Sequence, residues 1–370
     1  MVDAATAAPS VPNPPVARSP RISWVAPRQG FVVLSLINTL LRIATLGIYH
    51  FWGKTEVRQR IWSAVRVDGE PLEYRGTGGE LLRGFLIVFA LILLPLGLAG
   101  FVVPLMLKGN SALEGSYHTI TWGLLLALSG IGMHRARRYR LSRTYFRGIR
   151  GGLSGHSRSF AWTYFWTILL VPVTLGWIYP YRALVLYRAL TRQTRFGDAQ
   201  LEFSGKSSAL YRRFWVVWLG GLVLLVVMMG AIGAIAGPTG GPDPIKGMTA
   251  AKVVGILVVL AAGYFVFGLI YAWYAAGRLN YFAAHTRLDG HPFKLRATVP
   301  SLVWLTATNA LLRIFSLGIL SSVAEARSMR YIVERLSLEG PVPWQRIAQN
   351  PDALLKRGEG LAEAFNVDAF

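Results

Sequence analysis

Few side chains in this chain could do chemistry, and the ones that could are scattered. The six histidines are scattered, with no His-x3-His pair on one helical turn and no His-Glu-x-x-His motif. Cysteine is absent, which excludes disulfides, thiolate metal sites and a thiol nucleophile. No nucleophile–base pair or carboxylate cluster stands out, so neither an enzyme nor a bound metal or cofactor is expected. His50 and His134 fall near the ends of apolar stretches, where an interfacial role is the plain reading and a proton relay the sharper one. Gly76-Thr77-Gly78-Gly79-Glu80 precedes a helical pattern and could receive an anion at the helix N-terminus. It lacks the Lys-Ser/Thr of a phosphate-binding loop, so hairpin exit and helix capping explain it better.

The sharper candidates are polar groups set inside apolar stretches. Asn38 and Arg42 lie in one such stretch, and Asn309 and Arg313 in another. An arginine at the centre of a membrane helix costs about 2.5–3.5 kcal/mol on insertion scales, so these four mark a candidate polar pathway. The bland alternatives are a snorkelling arginine and an asparagine that bonds a backbone carbonyl where a helix breaks. In the broken-helix reading, each guanidinium fork bonds several freed carbonyls. Arg135, Arg137, Arg138 and Arg140 form the densest basic run, suited to anionic lipid headgroups rather than nucleic acid. Trp52, Trp62, Tyr49, Trp177, Tyr179, Tyr181 and Trp273 sit beside basic residues at segment ends, as an aromatic belt does.

The elements that position these groups are apolar and long. Of 370 residues, 53% are hydrophobic and only 15% charged, with a net charge of +21. Typical soluble domains are about 25% charged. Lys and Arg fall between apolar runs, as in membrane proteins. Seven such runs occur, at roughly 31–52, 84–107, 119–133, 160–181, 214–236, 253–276 and 301–320. Crossing a bilayer takes about 20 apolar residues, which the second, fifth and sixth supply best. Met1–Pro20 has no basic start followed by an apolar core, so it reads as a cytoplasmic tail rather than a signal peptide.

The chain also repeats. Thr45-Leu46-Gly47 recurs 129 positions later as Thr174-Leu175-Gly176, and Leu72-Glu73-Tyr74 recurs as Leu201-Glu202-Phe203. At a shift of 271, Asn38, Leu40-Leu41-Arg42-Ile43 and Leu46-Gly47-Ile48 match Asn309, Leu311-Leu312-Arg313-Ile314 and Leu317-Gly318-Ile319. Arg66-Val67-Asp68-Gly69-Glu70-Pro71 resembles Arg287-Leu288-Asp289-Gly290-His291-Pro292, with Arg147-Gly148 a degenerate copy. Asp-Gly between alternating residues predicts two-residue β-hairpins at the cytoplasmic surface. Each is too small to be stable alone.

Charge sets the expected topology. The connections 54–83, 135–158 and 182–213 carry six, eight and seven Lys or Arg, whereas 108–116 carries one. Basic connections stay cytoplasmic. Seven crossings conflict with this rule, because both sides of 160–181 and of 301–320 are basic. The conflict disappears if the Thr-Leu-Gly segments enter and return. Four, six and seven crossings all remain open.

The run Asn38-x-Leu40-Leu41-x3-Thr45-Leu46-Gly47-Ile48-Tyr49-x2-Trp52, with Arg58, Arg60, Asp68-Gly69 and Tyr74-x-Gly76-x-Gly78-Gly79-Glu80-Leu81, resembles the YjgN-like family. Gly358-Glu359-Gly360-Leu361-Ala362-Glu363-Ala364-Phe365 resembles that family's C-terminus. The resemblance implies a multi-pass bacterial inner-membrane protein and brings no activity, substrate or catalytic residue. The second copy departs from it, with Tyr181 for Trp52 and Ala189 for Arg60.

The expected fold is mainly α, a multi-pass helical membrane protein with an internal tandem repeat and small cytoplasmic β-hairpins. The expected division is a disordered tail over 1–27, repeats over 28–159 and 160–300, a partial third over 301–340 and a cytoplasmic tail over 341–370. Two functions fit. One is transport or permeation of a small polar or anionic solute. The other is a non-catalytic envelope protein whose basic cytoplasmic face binds anionic lipid or a protein partner. The bilayer is the expected partner and nucleic acid is not.

Overall fold

The computed structural model describes residues 19–237, 249–342 and 344–348. It is mainly helical, and short strands punctuate the helices in a regular order. After β1 (Ile22–Trp24) comes a short helical pair, α1 (Phe31–Ala44) and α2 (His50–Ala64). β2 (Val65–Val67), β3 (Glu70–Pro71) and β4 (Glu73–Tyr74) follow. A long pair is next. α3 (Gly78–Val88) runs through a π-turn at Phe89–Leu93 into α4 (Leu94–Met106), and α5 (Ser111–Ser142) returns. Beyond β5 (Thr144–Phe146) and β6 (Ile149–Leu153) lies a second short pair, α6 (Ser157–Val173) and α7 (Tyr179–Gln193). Then come β7 (Thr194–Phe196), β8 (Ala199–Phe203) and a second long pair, α8 (Ser207–Ala236) and α9 (Ala250–Ala284). The series ends with β9 (Thr286–Leu288), β10 (His291–Leu295), a third short pair, α10 (Val299–Phe315) and α11 (Ser321–Arg335), and β11 (Leu336–Leu338).

Three helices are long and apolar enough to cross a membrane: Gly78–Met106, Ser207–Ala236 and Ala250–Ala284. They contain the second, fifth and sixth of the seven expected stretches. The others fall on shorter helices or, in α5, on a rod with polar ends.

All the strands gather at one end of the helices. β4 to β11 form one antiparallel sheet in reverse chain order, and β1–β2–β3 form another. β3 and β4 are consecutive pieces of one stretch, and β1 lies against β11. The strands therefore make a nearly closed circuit. Two-residue turns at Asp68-Gly69, Arg147-Gly148 and Asp289-Gly290 all have positive φ at both positions, the type I′ geometry expected of hairpins. The degenerate Arg147-Gly148 copy is thus a hairpin like the others, with Phe146 paired to Ile149. Arg147 binds Glu70 at 2.8 Å across two hairpins, and this hydrogen bond holds the Glu70 carboxyl below its usual range.

Local chemistry explains the switch from helix to strand. Thr144, Thr194 and Thr286 each open a strand, and each donates its hydroxyl to the carbonyl four residues back, at 2.9, 2.8 and 2.7 Å. β-Branching favours the extended backbone, while the hydroxyl serves a helix-end carbonyl. Past three of the hairpins a second bond recurs. Gln59 donates to the Gly76 carbonyl at 3.3 Å, Arg188 to Gly205 at 2.7 Å and Asn280 to Ala297 at 2.8 Å.

The short pairs turn on Leu-Gly. Leu46, Leu175 and Leu317 have φ of 52°, 48° and 50°, and the next glycines have 94°, 82° and 82°. Gly47 N–H donates to the Arg42 carbonyl, Gly176 to Val171 and Gly318 to Arg313, each at 2.7 Å. This is the six-to-one bond of a Schellman end. The hydroxyl before each Leu-Gly accepts from the next helix: Thr45 from Tyr49 N–H at 2.9 Å, Thr174 from Ile178 at 3.3 Å and Ser316 from Leu320 at 3.1 Å.

Two boundaries move from expectation. The tail placed at 1–27 ends earlier, because Ile22–Trp24 pairs with Val65–Val67; residues 1–18 lie outside the described residues. The tail placed at 341–370 begins with a docked segment. Val342, Trp344 and Ile347 pack with Ile22, Ile149, Phe196, Leu201, Leu288 and Phe293 from around the strand circuit. Trp344 Nε1 donates to Asp68, and Ala348 N–H donates to the Asp198 carboxylate at 3.0 Å. Apolar strand residues facing one another need a filler, and this segment supplies it.

A Cβ at Gly197 would lie 2.2 Å from the Ala348 carbonyl oxygen. Gly197→Ala is therefore expected to lift residues 344–348 away and speed amide exchange at Ala348 roughly tenfold or more, the loss of about 1.4 kcal/mol. Exchange unchanged from wild type would show that the segment is not held at this turn.

Candidate functional site

The first and third short pairs meet where the circuit closes, with α1 and α2 against α11. Between them lies a cavity of about 220 Å³. A water occupies about 30 Å³ in the liquid, so the space takes several waters or a small anion. α1 brings Ser35, Asn38 and Arg42, and α2 brings His50 and Lys54. The third pair adds its turn at Gly318 and Ile319, then Ser321, Ser322 and Glu325.

Each wall has a local cause. α1 presents Val33, Leu36, Ile37 and Leu40 outward, so its polar residues turn toward α2 and α11. Asn38 donates from Nδ2 to the Gly53 carbonyl at 3.3 Å and so ties the two legs together. Gly53 leaves room for that side chain, since a Cβ there would sit 3.2 Å from it. Asn309 makes the equivalent bond to the Ala324 carbonyl at 3.3 Å and another to Ser328 Oγ at 3.1 Å. Tyr49 donates to Glu56 at 2.8 Å, which occupies one nearby carboxylate.

Three polar groups on the residues of the cavity wall lack a partner among the described residues. Ser35 is 1% exposed, and its hydroxyl has no hydrogen-bond partner among the described residues. The buried Oδ1 of Asn38 also has none, and neither has that of its counterpart Asn309 inside the third pair. The Arg42 guanidinium is exposed and makes no hydrogen bond or ion pair with the described residues. Arg42 and Lys54 stand against Glu325 alone among the charged lining groups, with His50 beside them, so the cavity favours anions.

Of the four expected pathway residues, the structure brings Asn38 and Arg42 together and sets the other two apart. Asn309 is buried inside the third pair, and Arg313 points outward beyond the lining. The expectation that the arginine forks bond freed carbonyls fails at both Arg42 and Arg313. Backbone N–H groups of Gly47 and Gly318 already occupy those helix ends. The basic run also divides. Arg135 is exposed, while Arg137, Arg138 and Arg140 are half-buried along α5, so the four do not share one face. Thr77 caps α3 by accepting from Glu80 N–H, and Glu80 binds Arg143 at 2.6 Å, which bears out the capping reading of the glycine-rich run.

Lys54, Ser35, Ser321, Ser322 and Glu325 were not singled out from the sequence. One signal was there to read: Glu325 stands at the position equivalent to Lys54 at the 271 shift, a charge reversal between matching places. Ser35 gave no such sign, because its burial comes from tertiary packing.

The family described as "Bacterial protein of unknown function (DUF898)" matches residues 20–364. The chain belongs to this family. It is also similar to the inner membrane protein YjgN of Salmonella typhimurium, at 29% identity over 145 residues, which is 39% of this chain and 33% of that protein. YjgN of Escherichia coli K12 is 23% identical over 151 residues, 40% of this chain and 35% of the relative. The alignments thus span about a third of the length of these curated relatives. No solved structure matches the chain. YjgN-like membership agrees with the motif residues, which include Asn38, Thr45-Leu46-Gly47 and Trp52.

Removing the paired asparagines should separate their roles. Asn309 is buried and makes two bonds, whereas Asn38 makes one and borders the cavity. Asn309→Ala is expected to cost about 1–3 kcal/mol in detergent unfolding and Asn38→Ala about 0.5–1.5 kcal/mol. The reverse order would show that Asn38 carries the heavier structural role.

Proposed function

We propose that this chain is a multi-pass inner-membrane protein that binds an anionic solute between its first and third short helical pairs and serves its transport or permeation. The observation that carries the reading is the cavity itself, lined by Lys54, His50 and an arginine, Arg42, that has no partner among the described residues.

The proposed topology has four crossings, made by the two long pairs, with three short pairs entering and returning. Helices of 14 to 17 residues reach about 21–26 Å at 1.5 Å per residue, short of the roughly 30 Å hydrocarbon core. Both ends of every pair abut the strand circuit, so the circuit lies on one side, and the basic connections make that side cytoplasmic. The turn residues support this placement. A leucine at positive φ costs about 1–2 kcal/mol, yet Leu46 is 95% and Leu317 92% exposed. The turn's backbone and hydroxyl bonds offset part of that strain in any solvent. In hydrocarbon, transfer of a leucine side chain adds about 1.5–3 kcal/mol.

The tandem repeat belongs to the same proposal. The three Leu-Gly turns and the three bonds from Gln59, Arg188 and Asn280 recur at the shifts found in the sequence, which supports duplication of a helix-pair and hairpin unit. The protein is further read as non-enzymatic, with anionic lipid as its natural surroundings.

Two measurements test the proposal. Single cysteines at Ser63, Ser157, Ser207 and Thr286 should be shielded from an impermeant reagent in intact cells, while Ser111→Cys should be labelled. Labelling at Ser207 from outside would replace the returning α6–α7 pair with a crossing. In proteoliposomes, Arg42→Leu should lower anion flux at least about tenfold, the loss of one charge-assisted contact of some 1.5–3 kcal/mol. Flux equal to wild type would remove the cavity from the pathway.

A further inference from the structure

The polar cavity adjoins a second space. Arg42 and His50 line both the cavity and an open groove of about 630 Å³ formed by Leu46, Ile48, Phe51, Leu82, Phe85 and Leu86. Leu82 and Leu86 continue into a third, mostly apolar hollow of about 600 Å³ with Ile87, Ala90 and Leu91, and with Arg83 at its rim. The apolar track therefore runs from the tip of the first pair along α3 to the π-turn. At its head, Gly47 adds no side chain, and a Cβ there would meet nothing within 4 Å.

We infer that this composite site takes an anionic phospholipid, with the phosphate held by Arg42, His50 and Lys54 and an acyl chain lying in the groove of Leu82, Phe85 and Leu86. The inference rests on the anion reading of the cavity and names its substrate class.

The two halves argue for one amphiphilic ligand. A soluble anion would use only the polar cavity and leave an apolar groove open beside it. A neutral lipid would fill the groove and leave the Arg42 charge uncompensated. An anionic lipid meets both, because the charge and the chain are joined where Arg42 and His50 border the two spaces. Ser35 and Asn38 add polar residues to the wall on the phosphate side. Glu325 on the far wall disfavours a headgroup with a second negative charge and suits one with hydroxyls or a single phosphate. The exposed Leu46 at the turn keeps the mouth of the groove in contact with the bilayer, so a chain can enter from the side.

The test uses the full-length protein in a non-ionic detergent. Binding is read by native mass spectrometry and by thermal shift with phosphatidylglycerol, phosphatidylcholine and glycerol 3-phosphate. Phosphatidylglycerol is expected to bind at least about tenfold more tightly than phosphatidylcholine, and Arg42→Gln should erase that preference. Leu86→Trp fills the groove from an exposed position. It should weaken phosphatidylglycerol about tenfold and leave glycerol 3-phosphate unchanged. Equal binding of the two lipids to wild type, or a preference that survives Arg42→Gln, overturns the inference. If glycerol 3-phosphate binds as well as phosphatidylglycerol and Leu86→Trp has no effect, the lipid inference falls and the anion site stands. If neither anion binds, both fall.

Discussion

The strand circuit is the constraint on which the rest depends. Each two-residue hairpin is too small to hold its own backbone bonds against water. Paired edge to edge from β4 to β11, with β1–β2–β3 beside them, the hairpins satisfy one another. Because each helical pair abuts the circuit at both ends, neighbouring pairs are forced side by side. The docked segment around Trp344 and Ile347 completes the arrangement by covering apolar residues from seven strands and the turn between β7 and β8.

That geometry gives the two helices of each short pair different work. First legs such as α1 carry an outward apolar face, while second legs such as α2 bury Thr55, Val57, Arg58 and Ile61. The turn joining them is held by backbone and hydroxyl bonds, so Arg42 is released from structural duty. In the third pair the same turn releases Arg313, but that side chain is exposed and does not line the cavity. The equivalent turns therefore do not make equivalent sites. The candidate site lies where the first pair meets the last.

Much of this could be read from the residues. Thr-Leu-Gly and its Ser-Leu-Gly variant were legible as helix breaks because two left-handed residues and a capping hydroxyl have local causes. Asp-Gly between alternating residues was legible as a hairpin for the same reason. The three long apolar helices followed from length and composition. Half of the candidate site, Asn38 and Arg42, followed from polar groups standing where apolar ones would be cheaper. Asn309 and Arg313 were chosen by the same rule, and the structure gives them other surroundings.

The sequence by itself determined what is local. It set which segments are apolar, where helices break, where hairpins turn and which side of the helices is basic, because each depends on residues within a few positions of one another. Only the tertiary structure decided that β1 lies against β11, that α11 packs on α1 and α2, and that Ser35, Lys54 and Glu325 share one cavity. Those contacts join positions nearly three hundred residues apart. No local propensity encodes them, since they arise when the succession of helical pairs and hairpins closes on itself and the first is left facing the last.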